Sequence, residues 1–159
     1  MPIPEITLRQ VEPADLEIYF QNQLDPESNW MAAFTAKDPA DREAFDAHWA
    51  RIMADETVVI RTIESEGRVV GSVLKYEMDG EAEISYSVGR EFWGKGIATA
   101  GLQAFIKELD IRPLHARAAF DNLGSIRVLE KCGFKKTGTD RYFANARGEE
   151  IEEIIFALE

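Results

Sequence analysis

The alternation of apolar and polar positions divides the chain into strands and helices in an α/β order. Ile6 to Val11 reads as a first strand. Pro13 to Gln23 reads as a helix with proline at its permitted first turn, and Leu16, Phe20 and Leu24 recur on one face. A second helix is predicted over about Asp41 to Ala54, with Phe45, Trp49, Ile52 and Met53 as its apolar stripe. Thr57 to Ile63 and Val69 to Met78 are β-branched runs joined by Glu66-Gly67, a hairpin signal. Asp79-Gly80 is the favoured pair for a second hairpin. From Ala82 to Val88, Ile84, Tyr86 and Val88 fall on one face of a strand, and Glu83, Ser85 and Ser87 on the other. Ile97, Ala98, Leu102, Phe105, Ile106 and Leu109 then recur at helical spacing.

The remainder continues the alternation. Leu114 to Phe120 is a strand and Asn122 to Cys132 a helix. Asp121 or Asn122 can cap its start, and Gly133 suits a left-handed residue just past its end. Phe134 to Phe143 and Glu150 to Leu158 predict an antiparallel pair that closes the sheet. No repeat, low-complexity tract or linker interrupts this order, so residues 1–159 are expected to form one domain. Asp25 to Ala40, with Pro26, Trp30, Phe34 and Pro39, matches neither period and is expected to be a long loop, the candidate lid over a site.

Composition narrows the class. An apolar fraction of 45% with scattered charge argues against disorder, and no run of eighteen apolar residues predicts a membrane span. Met1 to Glu5 lacks the basic and apolar regions of a secretory signal. The one cysteine, Cys132, cannot form an internal disulfide and fits a reducing compartment, so a cytoplasmic location is expected. The net charge of −11 is unevenly spread. Residues 1–89 carry 7 Lys/Arg against 18 Asp/Glu, residues 90–147 carry 11 against 6, and the last twelve carry five glutamates alone. An acidic surface disfavours nucleic acid and favours a cationic partner, although acidic residues also simply solvate helix faces.

The segment with most chemical content is Phe92-Trp93-Gly94-Lys95-Gly96-Ile97-Ala98-Thr99, between a predicted strand and a predicted helix. Two glycines one residue apart let the backbone turn sharply and approach a ligand without a Cβ in the way. The helix that follows presents unpaired N–H groups and the positive end of its dipole, a combination suited to a pyrophosphate. A tight connection with no ligand would use the same residues. The P-loop pattern fails for want of a Lys-Ser/Thr pair, and the dinucleotide fingerprint fails because Thr99 stands where a third glycine is needed.

Three blocks in succession resemble the GNAT superfamily of acetyl-CoA-dependent N-acetyltransferases. They are Ala82 to Val88, Phe92 to Thr99, and Asn122-Leu123-Gly124-Ser125-Ile126-Arg127-Val128-Leu129-Glu130-Lys131-Cys132-Gly133-Phe134. The likeness is closest to the branch that acetylates ribosomal-protein N-termini, and it covers about a third of the chain. It implies an α/β (α+β) fold: a mixed, mostly antiparallel sheet of about seven strands with splayed central strands, flanked by about four helices. It also implies acetyl-CoA as co-substrate and an amine acceptor (a protein N-terminus or a small cationic amine); the charge, hydropathy and histidine spacing of the chain add the expectation of no nucleic acid, no membrane and no metal. A homodimer is compatible with it.

Residue roles follow from the same resemblance. Glu83 matches the position of a catalytic glutamate that acts directly or through water; a surface glutamate on a half-exposed strand is the alternative. The backbone N–H of Val88 would face the oxyanion where the strand bulges and splays from its neighbour, and pantetheine would pair along Ser87 and Val88. Trp93, Gly94, Lys95, Gly96, Ile97 and Ala98 would cradle the pyrophosphate, with the Lys95 side chain or Thr99 hydroxyl in support. Asn122 would anchor pantetheine, or else serve as a plain helix cap. Many relatives carry a tyrosine acid where this chain has Leu129, so Ser125 is the expected substitute, with Tyr86 and Tyr142 as spare donors. That departure keeps open a CoA-binding regulatory domain with little or no turnover. Gly101 replaces an alanine inside the predicted helix at a cost of about 1 kcal/mol, which a close packing partner would explain. His48 and His115 have no companions at metal-ligand spacing.

Overall fold

A computed structural model describes residues 4–159. Its strands are β1 (Thr7–Arg9), β2 (Val59–Ser65), β3 (Arg68–Met78), β4 (Glu81–Val88), β5 (Leu114–Ala119), β6 (Lys135–Ala144) and β7 (Glu149–Leu158). Its helices are α1 (Pro13–Gln23), α2 (Pro26–Ala32), α3 (Arg42–Ala54), α4 (Ile97–Glu108) and α5 (Leu123–Lys131). The seven strands form one sheet in the order β1-β2-β3-β4-β5-β7-β6. Every neighbouring pair is antiparallel except β4 and β5.

Local chemistry accounts for the turns. Glu66-Gly67 and Asp79-Gly80 all have positive φ, the backbone twist that lets a two-residue loop join right-twisted strands. Asp25 opens α2 by accepting the Ser28 N–H at 2.9 Å, and Pro26 occupies the first turn. The stretch expected as one long loop therefore contains a seven-residue helix, which raises the α-helix count to five. Asp15 fastens α1 to the sheet. It accepts two hydrogen bonds from Arg9 at 2.8 and 2.9 Å, one from the Glu12 N–H at 2.8 Å and one from the Thr62 hydroxyl at 2.8 Å.

Apolar side chains cover both faces of the sheet. Leu102 and Phe105 of α4 and Leu129 of α5 pack with Val73, Ile84, Leu114 and Phe156 on one face. Tyr19 and Phe20 of α1 pack with Phe45 and Trp49 of α3 on the other. Gly101 lies where α4 meets β2: a Cβ there would stand 2.9 Å from Cδ1 of Ile63. The close partner expected for this helical glycine is thus Ile63.

One departure from regular pairing shapes everything that follows. β4 pairs with β5 only at Ala82–Leu114 and Glu83–His115. From Ile84 to Val88, β4 stays paired with β3 but has left β5. The central strands therefore splay, as expected. The expected bulge at Val88 is absent: register between β3 and β4 runs unbroken from Met78–Glu81 to Gly71–Val88. The opening comes from divergence of β5 rather than from an extra residue in β4.

Candidate active site

Where β4 and β5 part, a cleft of about 620 Å³ opens between β4, the glycine turn and α5. β4 contributes Tyr86, Ser87 and Val88 to its lining. The turn contributes Phe92, Trp93, Gly94 and Gly96, and the first turn of α4 contributes Ile97, Ala98 and Thr99. From α5 and its cap come Asn122, Gly124, Ser125, Arg127, Val128 and Lys131. The fourth wall is α2, through Glu27, Ser28, Met31 and Ala32.

The turn has the predicted backbone. Gly94 and Gly96 have φ of +77° and +78°, a left-handed conformation that costs an L side chain about 1–2 kcal/mol. Gly96 is the cap of α4, so the next residues offer the free N–H groups of a helix start to the cleft. Trp93 ties this turn to the strand by donating its indole N–H to the Val88 carbonyl at 2.8 Å. On the far side of Val88, Gly71 of β3 approaches so closely that a Cβ would stand 2.0 Å from the Ser87 carbonyl oxygen.

Of the expected catalytic and cofactor-binding residues, all but Lys95 and Glu83 line this cleft. Lys95 does not line the cleft; its ammonium lies 5.8 Å from the centre of the Phe92 ring. Cationic lining comes instead from Arg127 and Lys131, four residues apart on one face of α5. Asn122 lines the cleft and also caps α5, accepting the Ser125 N–H at 3.2 Å and donating to the Met31 carbonyl at 3.2 Å. Asn122 is thus a helix cap that also faces the cleft, and the second bond fixes α2 against α5.

Ser125 has a partner on the strand opposite. Its hydroxyl and that of Tyr86 share a hydrogen bond of 2.6 Å. Burial pushes the Tyr86 phenol up to about 12, against the opposing pull of Ser125, so it stays protonated through the neutral range. Leu129, by contrast, is fully buried in the core beneath α4. Tyr142 is also removed from the cleft, donating to Asp140 at 2.6 Å beside Phe34.

Glu83 lies outside the cleft lining. It occupies the last β4 position paired with β5, at the vertex of the splay, about 10 Å along the strand from Tyr86. Its carboxylate is 2% exposed, which excludes the surface-glutamate alternative. The nearest cation is Nε of Arg117, 3.6 Å away. Burial pushes the carboxyl up, and Arg117 and His115 pull it back only in part. Cys132 is inert by the same reasoning: burial pushes its thiol up to about 11.

The cleft fits coenzyme A on its own features. It has a left-handed glycine cap at a helix N-terminus, a basic α5 wall, and an opening beside an unpaired strand edge. Residues 5–135 match the family described as acetyltransferase (GNAT) domain, and the chain belongs to that family. The protein named "Putative ribosomal N-acetyltransferase YdaF" of Bacillus subtilis (strain 168) is 30% identical, the match covering 96% of this chain and 90% of that one. A domain from Methanocaldococcus jannaschii superposes with a TM-score of 0.80 at 26% identity, covering 98% of both chains. The spermidine N-acetyltransferase of Vibrio cholerae, solved with CoA and spermine, shares the fold at a TM-score of 0.79 and 19% identity, covering 96% of this chain and 95% of that one. The chain is an acetyl-CoA-dependent N-acetyltransferase of this family.

Proposed function

We propose that the enzyme acetylates a primary amine, at a protein N-terminus or on a small cationic amine, by direct attack within a ternary complex. The observation that carries this reading is the continuity of the cleft from the Gly94–Gly96 turn to the Tyr86–Ser125 hydroxyl pair. Amides of residues 93–98, with Arg127 and Lys131, hold the diphosphate, and Ser87 and Val88 align pantetheine as an added strand. Acetyl-CoA supplies the acyl group as a thioester.

An amine is protonated near neutrality and must shed a proton before it can attack. Glu83 receives that proton through water entering at the vertex of the splay. As the C–N bond forms, the Val88 N–H stabilises the oxyanion. As the C–S bond breaks, the Ser125 hydroxyl gives its proton to the leaving thiolate and takes one from Tyr86; the nitrogen's second surplus proton passes to solvent, and solvent returns a proton to the Tyr86 phenolate. The acidic N-terminal half supports a cationic acceptor, and the lone, half-buried cysteine supports a reducing, cytoplasmic setting. Thiol release from acetyl-CoA, measured across a panel of peptides with free N-termini and small polyamines, tests the assignment. Turnover with one class names the acceptor. Tight CoA binding with no turnover on either class of amine would contradict the proposed acceptors.

A further inference from the structure

On the sheet face that carries Glu83, one guanidinium stands among three carboxylates. Arg117 of β5 places Nε 3.6 Å from Glu83, and its Nη1 lies 3.1 Å from Glu153 of β7 and 3.9 Å from Asp140 of β6. Only the Glu153 contact has hydrogen-bond geometry. Nε is shut away from solvent and has no hydrogen-bond partner among the described residues. A buried guanidinium N–H left open beside a buried carboxylate is costly for both groups, since each has lost water without a full bond in return.

The arrangement has a chemical logic for a base. A carboxylate as buried as Glu83 takes up a proton unless a cation supports its charge. A carboxylate gripped by a bidentate guanidinium stays charged but gives up basicity. Here the grip is divided. Arg117 commits its hydrogen bond to Glu153 and leaves Glu83 with a looser Coulombic contact.

We propose that Arg117 is a positioning residue for Glu83, keeping that buried carboxylate ionised, and that Glu153 weakens the hold by competing for the same guanidinium. This rests on the reading of Glu83 as the base. The groups that face Glu83 are Tyr76 from β3, Glu81 from its own strand, and His115 and Arg117 from β5. Glu153, and Asp140 with Tyr142, stand behind Arg117 and act on Glu83 through it. Arg117 is the one fixed cation in that set.

The test follows the Glu83 side-chain carboxyl carbon by ¹³C NMR against pH, alongside the pH profile of kcat/KM, in the intact enzyme. Arg117→Gln moves the Glu83 inflection upward by about one pH unit or more, and the acid limb of kcat/KM moves with it. Arg117→Lys restores most of the shift. Glu153→Gln moves both downward, and it decides the matter even where Arg117→Gln fails to fold. An inflection that stays put in Arg117→Gln, or that fails to fall in Glu153→Gln, overturns the proposal. Should the NMR inflection move as stated while the rate profile does not, the tuning stands and the role of Glu83 as base falls.

Discussion

The hydroxyls of Tyr86 and Ser125 meet at 2.6 Å across the cleft, joining the free edge of β4 to the first turn of α5. Serine alone is a weak acid, and a phenol behind it provides a source from which its proton can be replaced. Ser125→Ala is expected to lower kcat about 10²-fold, the low end for loss of a positioned acid, with little change in acetyl-CoA binding. Tyr86→Phe should cost less, and the double variant no more than Ser125→Ala alone, because the two act as one unit. Steady-state kinetics on the four proteins measures this; additive losses would separate the pair.

Gly101 and Ile63 form a packing pair that tests the fold. Alanine at 101 gains about 1 kcal/mol in helix propensity, but it presses a Cβ against a side chain that is only 1% exposed. Overpacking of this kind costs about 1–3 kcal/mol. Gly101→Ala is therefore expected to destabilise modestly in urea titration, whereas Gly101→Ala combined with Ile63→Val recovers most of the loss. A stabilised single variant would mean that Ile63 moves aside freely.

Asp15 makes stability depend on pH in a defined direction. Burial pushes its carboxyl up, but Arg9, the Glu12 N–H and the Thr62 hydroxyl together outweigh this, so it titrates below its ordinary value of 3.8. As pH falls past that value, the unfolded chain takes up the proton first and stability is lost. Asp15→Ala should cost about 1.5–3 kcal/mol at neutral pH, the range for losing hydrogen bonds to a charged group, since Arg9 stays partly solvated and keeps Glu64. The gap from the wild type should narrow as pH drops below 3.8, read from denaturation midpoints across that range.

Legibility in the sequence tracked how local the determinant was. Asp79-Gly80 and the Gly94–Gly96 turn were readable because a few residues set their own backbone. The helix α2 was hidden despite its Asp25-Pro26 start, since seven residues with scattered Trp30 and Met31 make no stripe. Lys95 looked like the phosphate cation by proximity to the glycines, yet Arg127 and Lys131 reach the cleft because α5 turns that face toward it. Their spacing of four was visible in the chain, but the direction of the face was not. The alternation from Ala82 to Val88 places Glu83 on the correct side of its strand. Its burial beside Arg117 depends on β4 pairing with β5, a contact between residues far apart in sequence.

Gly71 offers a second approach to the cleft from behind. Alanine there meets the Ser87 carbonyl, a backbone atom that cannot rotate away. Gly71→Ala should displace Ser87 and Val88 and raise the Kd for acetyl-CoA, even though residue 71 lies outside the cleft lining. Fluorescence titration of the variant checks this; unchanged affinity would show that pantetheine does not depend on that strand edge.

In the proposed complex, main-chain amides following Gly96 hold the diphosphate. Calorimetric titration of Gly96→Val with acetyl-CoA tests it most directly, because the substitution removes no charged group and forces a β-branched residue into φ near +78°. The expected result is a folded protein with no measurable binding. A folded variant that binds acetyl-CoA as tightly as the wild type would contradict it.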